Sequence, residues 1–274
     1  MGRSALSPAV LNKVPPFPAV AAKLLGVLAN PAADTDEIAE LISSDATLAA
    51  QILKSVNSYQ YGLKSEVRSV QQAVALLGLD NIRKITTATA TATYVKRFMT
   101  AELLSCWQHS IATAVLSEVV AESCHAFENL AYVAGILHDV GRLALLVAYP
   151  EEYRKLMRSA REGSIDLLDE EERKFGMNHA EAGRLLAQTW GLPEEFRIVN
   201  GRHHDSCDGS EMDLLRIVHF GCRLACSLGF GALSGSAPAA ASVFSELPPR
   251  VAASMKQTPD ELTALIEQRI SEVT

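Results

Sequence analysis

Residues 34–56, DTDEIAELISSDATLAAQILKSV, decide the fold class of this chain. The apolar side chains of this stretch recur at steps of three and four residues, which is the period of one buried face of an α-helix. Asp34 and Glu37 have the spacing of a helix cap and the acceptor that together satisfy the free N–H groups of a first turn. The stretch therefore predicts helix, starting at Asp34. Its apolar residues are Ile38, Leu41, Ile42, Leu48, Ile52, Leu53 and Val56.

The same spacing continues downstream of this stretch. Ser69 and Gln72 predict another helix start, Gly78 predicts its end, and Asp80 can start the next helix. Residues 86–94, TTATATATY, alternate as a strand does. A single strand would have no partner in an otherwise helical chain, so we expect a helix there as well.

Further helices are expected on the same period. Thr258, Pro259 and Glu261 mark the start of the last one, as cap, first-turn proline and capping-box acceptor. Residues 231–249 are rich in Gly, Ser, Ala and Pro, which predicts a loop before it. The sequence as a whole predicts an all-α protein. The further helices are placed at about 101–123, 129–148, 151–162, 165–175, 178–190, 193–202, 212–229 and 259–272.

The composition is that of a chain able to bury a core, since 48% of its 274 residues are hydrophobic and 21% are charged. These proportions exclude a disordered or low-complexity protein. We expect no apolar run to reach the roughly 18 residues of a membrane-spanning helix. The first residues, MGRSALSPAV, do not resemble a secretory signal. We therefore expect a cytoplasmic protein with no membrane contact, and its five cysteines, without a CxxC pair, predict reduced thiols.

The net charge of −7 is unevenly distributed. Residues 1–100 hold 10 Lys/Arg against 7 Asp/Glu, and residues 101–274 hold 15 against 25, which gives +3 and −10. The asymmetry favours two subdomains, but +3 without a basic run is a poor footprint for a phosphate backbone, so we expect no nucleic-acid partner. Residues 69–86 have the outline of a helix-turn-helix, yet few long polar side chains follow, which leaves DNA binding the least favoured function. The acidic run DEEER, residues 169–173, predicts a solvated helix face.

Five of the seven histidines fall in short polar segments within the helical pattern. Imidazole and carboxylate groups are the ligands of Zn, Fe, Mn and Ni, and binuclear hydrolase sites combine several histidines with a bridging aspartate. A single histidine on an amphipathic helix is more often structural than a ligand. Spacing alone therefore leaves a metal site and a set of structural histidines about equally favoured. The segments are CWQHS with His109, LHDVG with His138 and Asp139, MNHAEAG with His179, and GRHHD with His203 and His204.

At these residues the chain resembles the HD superfamily of metal-dependent phosphohydrolases and, within it, the HDOD domain, the HD-related output domain of bacterial signalling. The resemblance covers residues 10–225 approximately. The motifs that carry it are VPPFPAVAAKLLGVL, IAELISSDATLAAQILKSVNSYQYG, SVQQAVALLGLDNIRKI, AYVAGILHDVGRLAL, and HAEAGRLLAQTWGLP with the HH pair that follows.

The resemblance implies a helical subdomain over residues 1–97, an HD-like helical subdomain with the metal cluster over 98–230, and a loop and C-terminal helix over 231–274. It implies a signalling module that acts by contact with protein partners, retains a metal site and has weak or no hydrolase activity. The alternative is a metal-dependent phosphohydrolase or phosphodiesterase that acts on a nucleotide or another phosphoester, which would then be the ligand.

The ligands implied by the resemblance would hold one or two divalent transition-metal ions. Fe or Mn is favoured, with Zn or Ni as alternatives, and Asp139 would bridge two ions. If the protein is a hydrolase, Asp139 and Arg142 are its expected catalytic residues. The implied metal ligands are His109, His138, Asp139, His179, His203 and His204.

The chain departs from its relatives at two positions. Cys222 stands where the family pattern places the last metal aspartate, so it is either a thiolate ligand or a small buried thiol. Arg142 stands where the related HD-GYP cyclic-di-GMP phosphodiesterases have a lysine. A guanidinium can hold a phosphate but does not give up a proton near neutral pH. No GYP tripeptide follows His204 either, so the cyclic-di-GMP activity is not carried over.

Overall fold

The structure is a computed structural model that describes residues 14, 18–28, 30, 32–58, 66–97, 100–205, 211–233 and 238–273. Over these ranges the chain is helical and contains no strand, which confirms the all-α prediction. Two groups of helices follow each other along the chain and pack around two apolar clusters, and side chains of the first group such as Leu25 and Ala88 belong to the second cluster.

The first group of helices surrounds a small, wholly apolar core. Its central side chains, Ile38, Ile42 and Ile52, are completely buried. The expected helix start is confirmed, because the Asp34 carboxylate accepts a hydrogen bond from the backbone N–H of Asp36. The helices are α1 (Ala19–Leu28), α2 (Thr35–Ser43), α3 (Ala46–Val56) and α4 (Val70–Arg97).

Helix α4 is broken once, at Gly78, as predicted. The glycine has φ 74° and ψ 162°, a left-handed region that other residues rarely adopt. The alternating Thr and Ala residues lie in the second part of α4, which confirms the helix expected there. Their hydroxyls bond back to the carbonyls one turn earlier, from Thr87 to Arg83 and from Thr91 to Thr87, at 2.9 Å each. These two buried hydroxyls are thus satisfied within the helix itself.

The second group of helices packs around the long helix α5 (Ala101–Cys124). Helix α12 (Leu214–Ala225) lies very close to α5, since a Cβ at Gly221 would stand 2.3 Å from Ser117 Oγ. Only glycine permits this approach, and it brings the side chains of α12 next to His109 on α5. The remaining helices are α6 (Glu128–Leu137), α7 (Val140–Ala148), α8 (Pro150–Arg161), α9 (Leu167–Phe175), α10 (His179–Thr189), α11 (Glu194–Arg202) and α12 (Leu214–Ala225), and α12 continues as a π-helical turn, Cys226–Phe230.

The helix expected at 129–148 is wrong in one respect, because it consists of two helices. The break lies at Asp139, with φ −111° and ψ 20°, between α6 and α7. Apolar residues on both sides concealed this break in the sequence pattern. The segment Leu130–Ala148 is also long and apolar enough to cross a membrane, contrary to the expectation that no such run exists. It is 89% buried inside the protein, as a core segment is.

The loop expected at 231–249 is also partly wrong. Val243, Leu247 and Val251 recur at steps of four and are buried against the second core, so this segment forms helices despite its composition. The C-terminal helix begins as predicted, with Thr258 and Glu261 exchanging the hydrogen bonds of a capping box. These helices are α13 (Ala240–Glu246), α14 (Pro249–Ser254) and α15 (Pro259–Val273).

Candidate metal centre

The structure brings the six predicted ligands into one continuous cluster. His138 lies between His109 and His203, with ring centroids 5.2 and 5.1 Å away. His203 continues the chain of rings to His179 at 5.6 Å and to His204 at 4.1 Å. The side chains of the cluster are almost fully buried, except for His204, which is exposed at its edge. Residues up to 95 positions apart in sequence therefore share one site.

Three side chains form what we call the first donor group: His109, His138 and Cys222, whose ligand atoms all lie within 4.8 Å of one another. His109 Nδ1 donates to the Phe230 carbonyl at 2.9 Å, and His138 Nδ1 donates to the Gly135 carbonyl at 2.7 Å. A carbonyl can only accept, so in both rings the proton is on Nδ1 and the lone pair of Nε2 is available as a ligand.

Cys222 completes this group on helix α12. Its sulfur lies 3.6 Å from His109 Nε2. A hydrogen bond from the Cys222 thiol to Cys226, one turn further on, raises the pKa of Cys222 and lowers that of Cys226 to about 6. The position at which the sequence departs from the family pattern therefore lies among the predicted ligands.

The second donor group consists of His179, His203 and His204, whose ligand atoms also lie within 4.8 Å of one another. His203 Nδ1 donates to the Asn200 carbonyl at 2.9 Å, so its Nε2 also carries a lone pair. His179 is held differently, by the carboxylate of Glu171, which lies 2.7 Å from its Nδ1 and also accepts from its backbone N–H at 2.8 Å.

Sequence analysis missed Glu171, which it placed on a solvated helix face. The side chain is completely buried and accepts a hydrogen bond from the Tyr153 hydroxyl. Burial alone would raise the pKa of Glu171, but contact with His179 lowers it below the usual range, so the carboxylate is charged. The available signal was periodicity, because Glu171 follows the buried Leu167 by one helical turn.

Asp139 lies between the two donor groups and is paired with Arg142. Its Oδ2 accepts from Arg142 Nε at 2.7 Å, while its Oδ1 lies 3.5 Å from His179 Nε2 and 4.0 Å from His203 Nε2. Burial would raise the pKa of Asp139, but Arg142 and the surrounding imidazoles lower it well below its usual range. Arg142 Nη2 also lies 3.0 Å from His179 Nε2. A permanent positive charge therefore stands at the second donor group.

Glycine at position 141 allows this arrangement to form. A Cβ there would lie 1.9 Å from the His179 carbonyl oxygen and 2.4 Å from the Gly183 nitrogen, so any other residue would force α7 and α10 apart. The close approach places Asp139, just before α7, against His179, the first residue of α10.

The donor set fits a divalent metal ion. Burial lowers the pKa of His138 well below its usual value and that of His203 to about 4, so both rings are neutral at pH 7 and able to ligate. His138 Nε2, His203 Nε2 and Asp139 Oδ1 are buried and have no hydrogen-bond partner within the described part of the chain. Buried polar atoms normally have partners, and these three can only accept. A bound cation satisfies such a set of acceptors.

Comparison with known proteins identifies the family. The family model of the HDOD domain matches residues 14–206, a range that contains all six predicted ligands and ends before Cys222. The chain belongs to the HDOD domain family. A relative of this HDOD protein, an uncharacterized protein of Treponema pallidum (strain Nichols), is 27% identical over 205 residues. The match covers 73% of the present chain and 40% of that relative, so the chain spans well under half of the relative's length.

Solved structures of similar fold agree with this assignment. An HDOD domain protein with unknown function from Geobacter sulfurreducens is 25% identical with a TM-score of 0.73, covering 95% of this HDOD chain and 91% of that one. A candidate phosphohydrolase from Shewanella amazonensis SB2B is 21% identical with a TM-score of 0.70, covering 97% and 96% of the two chains. The second likeness, at this identity, shows the common fold alone.

Proposed function

We propose that this HDOD protein is a bacterial, cytoplasmic signalling module that binds one divalent metal ion at the first donor group and acts by contact with protein partners, with weak or no hydrolase activity. The observation that carries the proposal is the position of Arg142. Its guanidinium pairs with Asp139 Oδ2 and contacts His179 Nε2, so it occupies donor atoms that a second metal ion would need.

A binuclear hydrolase requires an aspartate that bridges two cations and a set of ligands for each. In this chain one Asp139 oxygen is already engaged, and Arg142 does not lose its proton at ordinary pH. Like charges about 4 Å apart repel by roughly 4 kcal/mol at an effective dielectric constant of about 20, and more if one is divalent. We therefore expect the guanidinium to take the place of the second ion.

At the first donor group, His138 Nε2 has no hydrogen-bond partner within the part of the chain that the structure describes. A metal ion bound there would supply a positive charge and a coordination centre for the surrounding side chains. His109 comes from α5, His138 from the end of α6 and Cys222 from α12, so their common ligation would fix three helices relative to one another. Metal binding would thereby set the arrangement of helices that a protein partner meets.

A second candidate function is phosphoester hydrolysis, and one observation favours it. Arg142 Nη1 is a buried donor with no hydrogen-bond partner among the residues that the structure describes. Such a group can hold a phosphate oxygen. The exposed His204 leaves an edge of the cluster open to solvent. The likeness to the Shewanella protein also agrees with this function, though only through the fold.

Metal analysis of the full chain, purified without chelator, tests the proposal. We expect about one equivalent of metal and no turnover over a broad panel of phosphoesters. Near-zero metal in the folded protein would contradict metal binding. About two equivalents, with turnover that His138→Ala and Asp139→Ala both abolish, would instead establish the hydrolase. His125→Ala is the matched histidine control, because this side chain is 89% exposed and belongs to neither donor group. Its Nδ1 lies 3.6 Å from the Glu128 carboxylate.

A further inference from the structure

We propose that Cys222 is itself a metal ligand and that its thiolate makes the first donor group selective for zinc over manganese. The inference rests on the metal binding proposed above and names the metal class of that same site. It departs from the carboxylate that the family pattern places at this position, and from the preference for Fe or Mn that such a carboxylate would confer.

The first argument is the distance between sulfur and nitrogen. A tetrahedral zinc ion with a Zn–S distance of about 2.3 Å and a Zn–N distance of about 2.05 Å places the two ligand atoms roughly 3.6 Å apart. Cys222 Sγ and His109 Nε2 are 3.6 Å apart. This distance is that of a sulfur–nitrogen hydrogen bond, and it also matches two ligands on a common ion.

The second argument is the unsatisfied donor beside this pair. His138 Nε2 belongs to the same group, the His138 ring is 1% exposed, and the atom has no hydrogen-bond partner in the described ranges. Two imidazoles and a thiolate supply three protein ligands, and a water molecule can complete the four-coordination that zinc prefers.

The third argument is that one segment of the chain carries both the Cys222 sulfur and the carbonyl that orients the His109 ring. Helix α12 carries Cys222, and the π-helical turn that continues it carries Cys226 and ends at Phe230. The Phe230 carbonyl accepts from His109 Nδ1 and so directs Nε2 of that ring towards Cys222. Outer hydrogen bonds of this kind orient metal-ligating histidines. Cys226 lies outside the first donor group and accepts the hydrogen bond of the Cys222 thiol in the metal-free protein. Metal binding at Cys222 would release this thiol proton to solvent.

The chemistry of the donor then decides the metal. A thiolate is a soft ligand that favours zinc, whereas manganese prefers carboxylate and water oxygens. The family resemblance implies an aspartate, a hard donor, at position 222. Cys222 is a soft donor at the same position, while the imidazoles of His109 and His138 are unchanged. The substitution Cys222→Asp reverses this exchange in the same protein.

Spectroscopy on the full chain loaded with cobalt(II) tests the ligand directly. Cobalt bound to a thiolate shows a near-ultraviolet charge-transfer band that imidazole and carboxylate ligands do not give. We expect the band in the wild-type protein and in Cys226→Ser and Cys124→Ser, and its loss in Cys222→Ser and Cys222→Asp. In competition between zinc and manganese, Cys222→Asp should lower the preference for zinc by at least about tenfold.

The outcomes separate this inference from the proposed function. Cobalt binding without the band in the wild-type protein, or a band that persists in Cys222→Ser, would overturn the role of Cys222 while the metal site stands. A band lost in Cys226→Ser and kept in Cys222→Ser would assign the ligand to the other thiol and also overturn it. Failure of the wild-type protein to bind any metal would overturn both proposals. Circular dichroism verifies that each variant is folded, and Cys222→Asp serves where Cys222→Ser does not fold.

Discussion

The two donor groups of the cluster contain the same kind of side chain but differ in what already satisfies them. In the first group, backbone carbonyls hold Nδ1 of His109 and His138, and His138 Nε2 is left without a partner among the described residues. In the second group, a carboxylate holds His179, and Arg142 and His204 both lie within hydrogen-bond distance of its Nε2, while His203 Nε2 has no partner among the described residues.

This difference indicates that a cluster of histidines is best recognised as a metal site by its buried imidazole nitrogens that lack a hydrogen-bond partner. A buried ring whose lone pair has no partner carries an uncompensated desolvation cost, which a cation removes. A ring in contact with a guanidinium has already been compensated. A substitution in one group therefore tests whether the other group responds.

The largest effect is expected from removing one ring of each group in turn. His138→Ala takes away a ligand of the first group and should lower metal affinity by at least about a hundredfold. His203→Ala, in the second group, should lower it by less than about tenfold and leave one equivalent bound. Isothermal titration of each metal-free variant with zinc measures both. Equal losses would mean that the two groups bind metal as one site.

A second test removes the guanidinium. Arg142→Met leaves the Asp139 carboxylate buried without its partner, which should cost about 3–5 kcal/mol of unfolding free energy in the metal-free protein. We also expect bound metal to rise from one equivalent to two, because the second group is freed, and added metal to restore part of the lost stability. Urea unfolding and metal analysis measure these quantities.

The matched control for that substitution is Arg184→Met. Arg184 pairs with Glu181 at 2.7 Å but is 39% exposed, so its loss should cost less than about 1 kcal/mol. An Arg142→Met protein with unchanged stability and a single bound metal would contradict the view that the guanidinium replaces an ion.

Sequence reasoning predicted the helices where local rules decide them. Capping at Asp34 and Thr258 and the break at Gly78 depend on residues within a few positions, and the structure has them. It placed no break at Asp139, because this break is stabilised by partners far along the chain. Sequence reasoning also overlooked helix α13. Apolar residues recur there at every fourth position, but the segment is rich in Gly, Ser and Ala, which favoured a loop.

The candidate site was predictable to the extent that its residues have recognisable types. Histidines and an aspartate in a known order identified the cluster, but not how its charges are balanced. The contact between Arg142 and His179 joins residues 37 positions apart, and no periodicity implies it. Glu171 was overlooked because a carboxylate in an acidic run is normally solvated, and only packing against Tyr153 and His179 shows otherwise.

The pH dependence of the metal-free protein tests the state of His203. Burial lowers its pKa to about 4, so the folded state keeps the ring neutral while the unfolded state protonates it near pH 6.5. The unfolded state then binds more protons, and stability should fall as the pH decreases from 6.5 to about 4, by about 3 kcal/mol in total for this group. Urea unfolding over this range should show a shallower slope for His203→Gln. Equal slopes would contradict a neutral buried ring.

The smallest effect is expected at Glu171, which supports the second group alone. Glu171→Gln keeps the shape of the side chain but removes the charge that faces His179 Nδ1, at an expected cost of about 1–2 kcal/mol in unfolding free energy. The imidazole N–H proton signal of His179 should move upfield in NMR spectra because its acceptor is weaker. Zinc affinity at the first group should stay within about threefold of the wild-type value, because His179 belongs to the second group and does not ligate a metal ion in the first.

The matched variant is Tyr153→Phe, which removes a hydrogen bond to the opposite oxygen of the same carboxylate and leaves its charge in place. It should reduce stability by a similar amount without moving the His179 signal. A shift in both variants would mean that the carboxylate acts through its position and not its charge. A loss of zinc binding in Glu171→Gln alone would show that the two donor groups are energetically coupled, contrary to the division that their hydrogen bonds indicate.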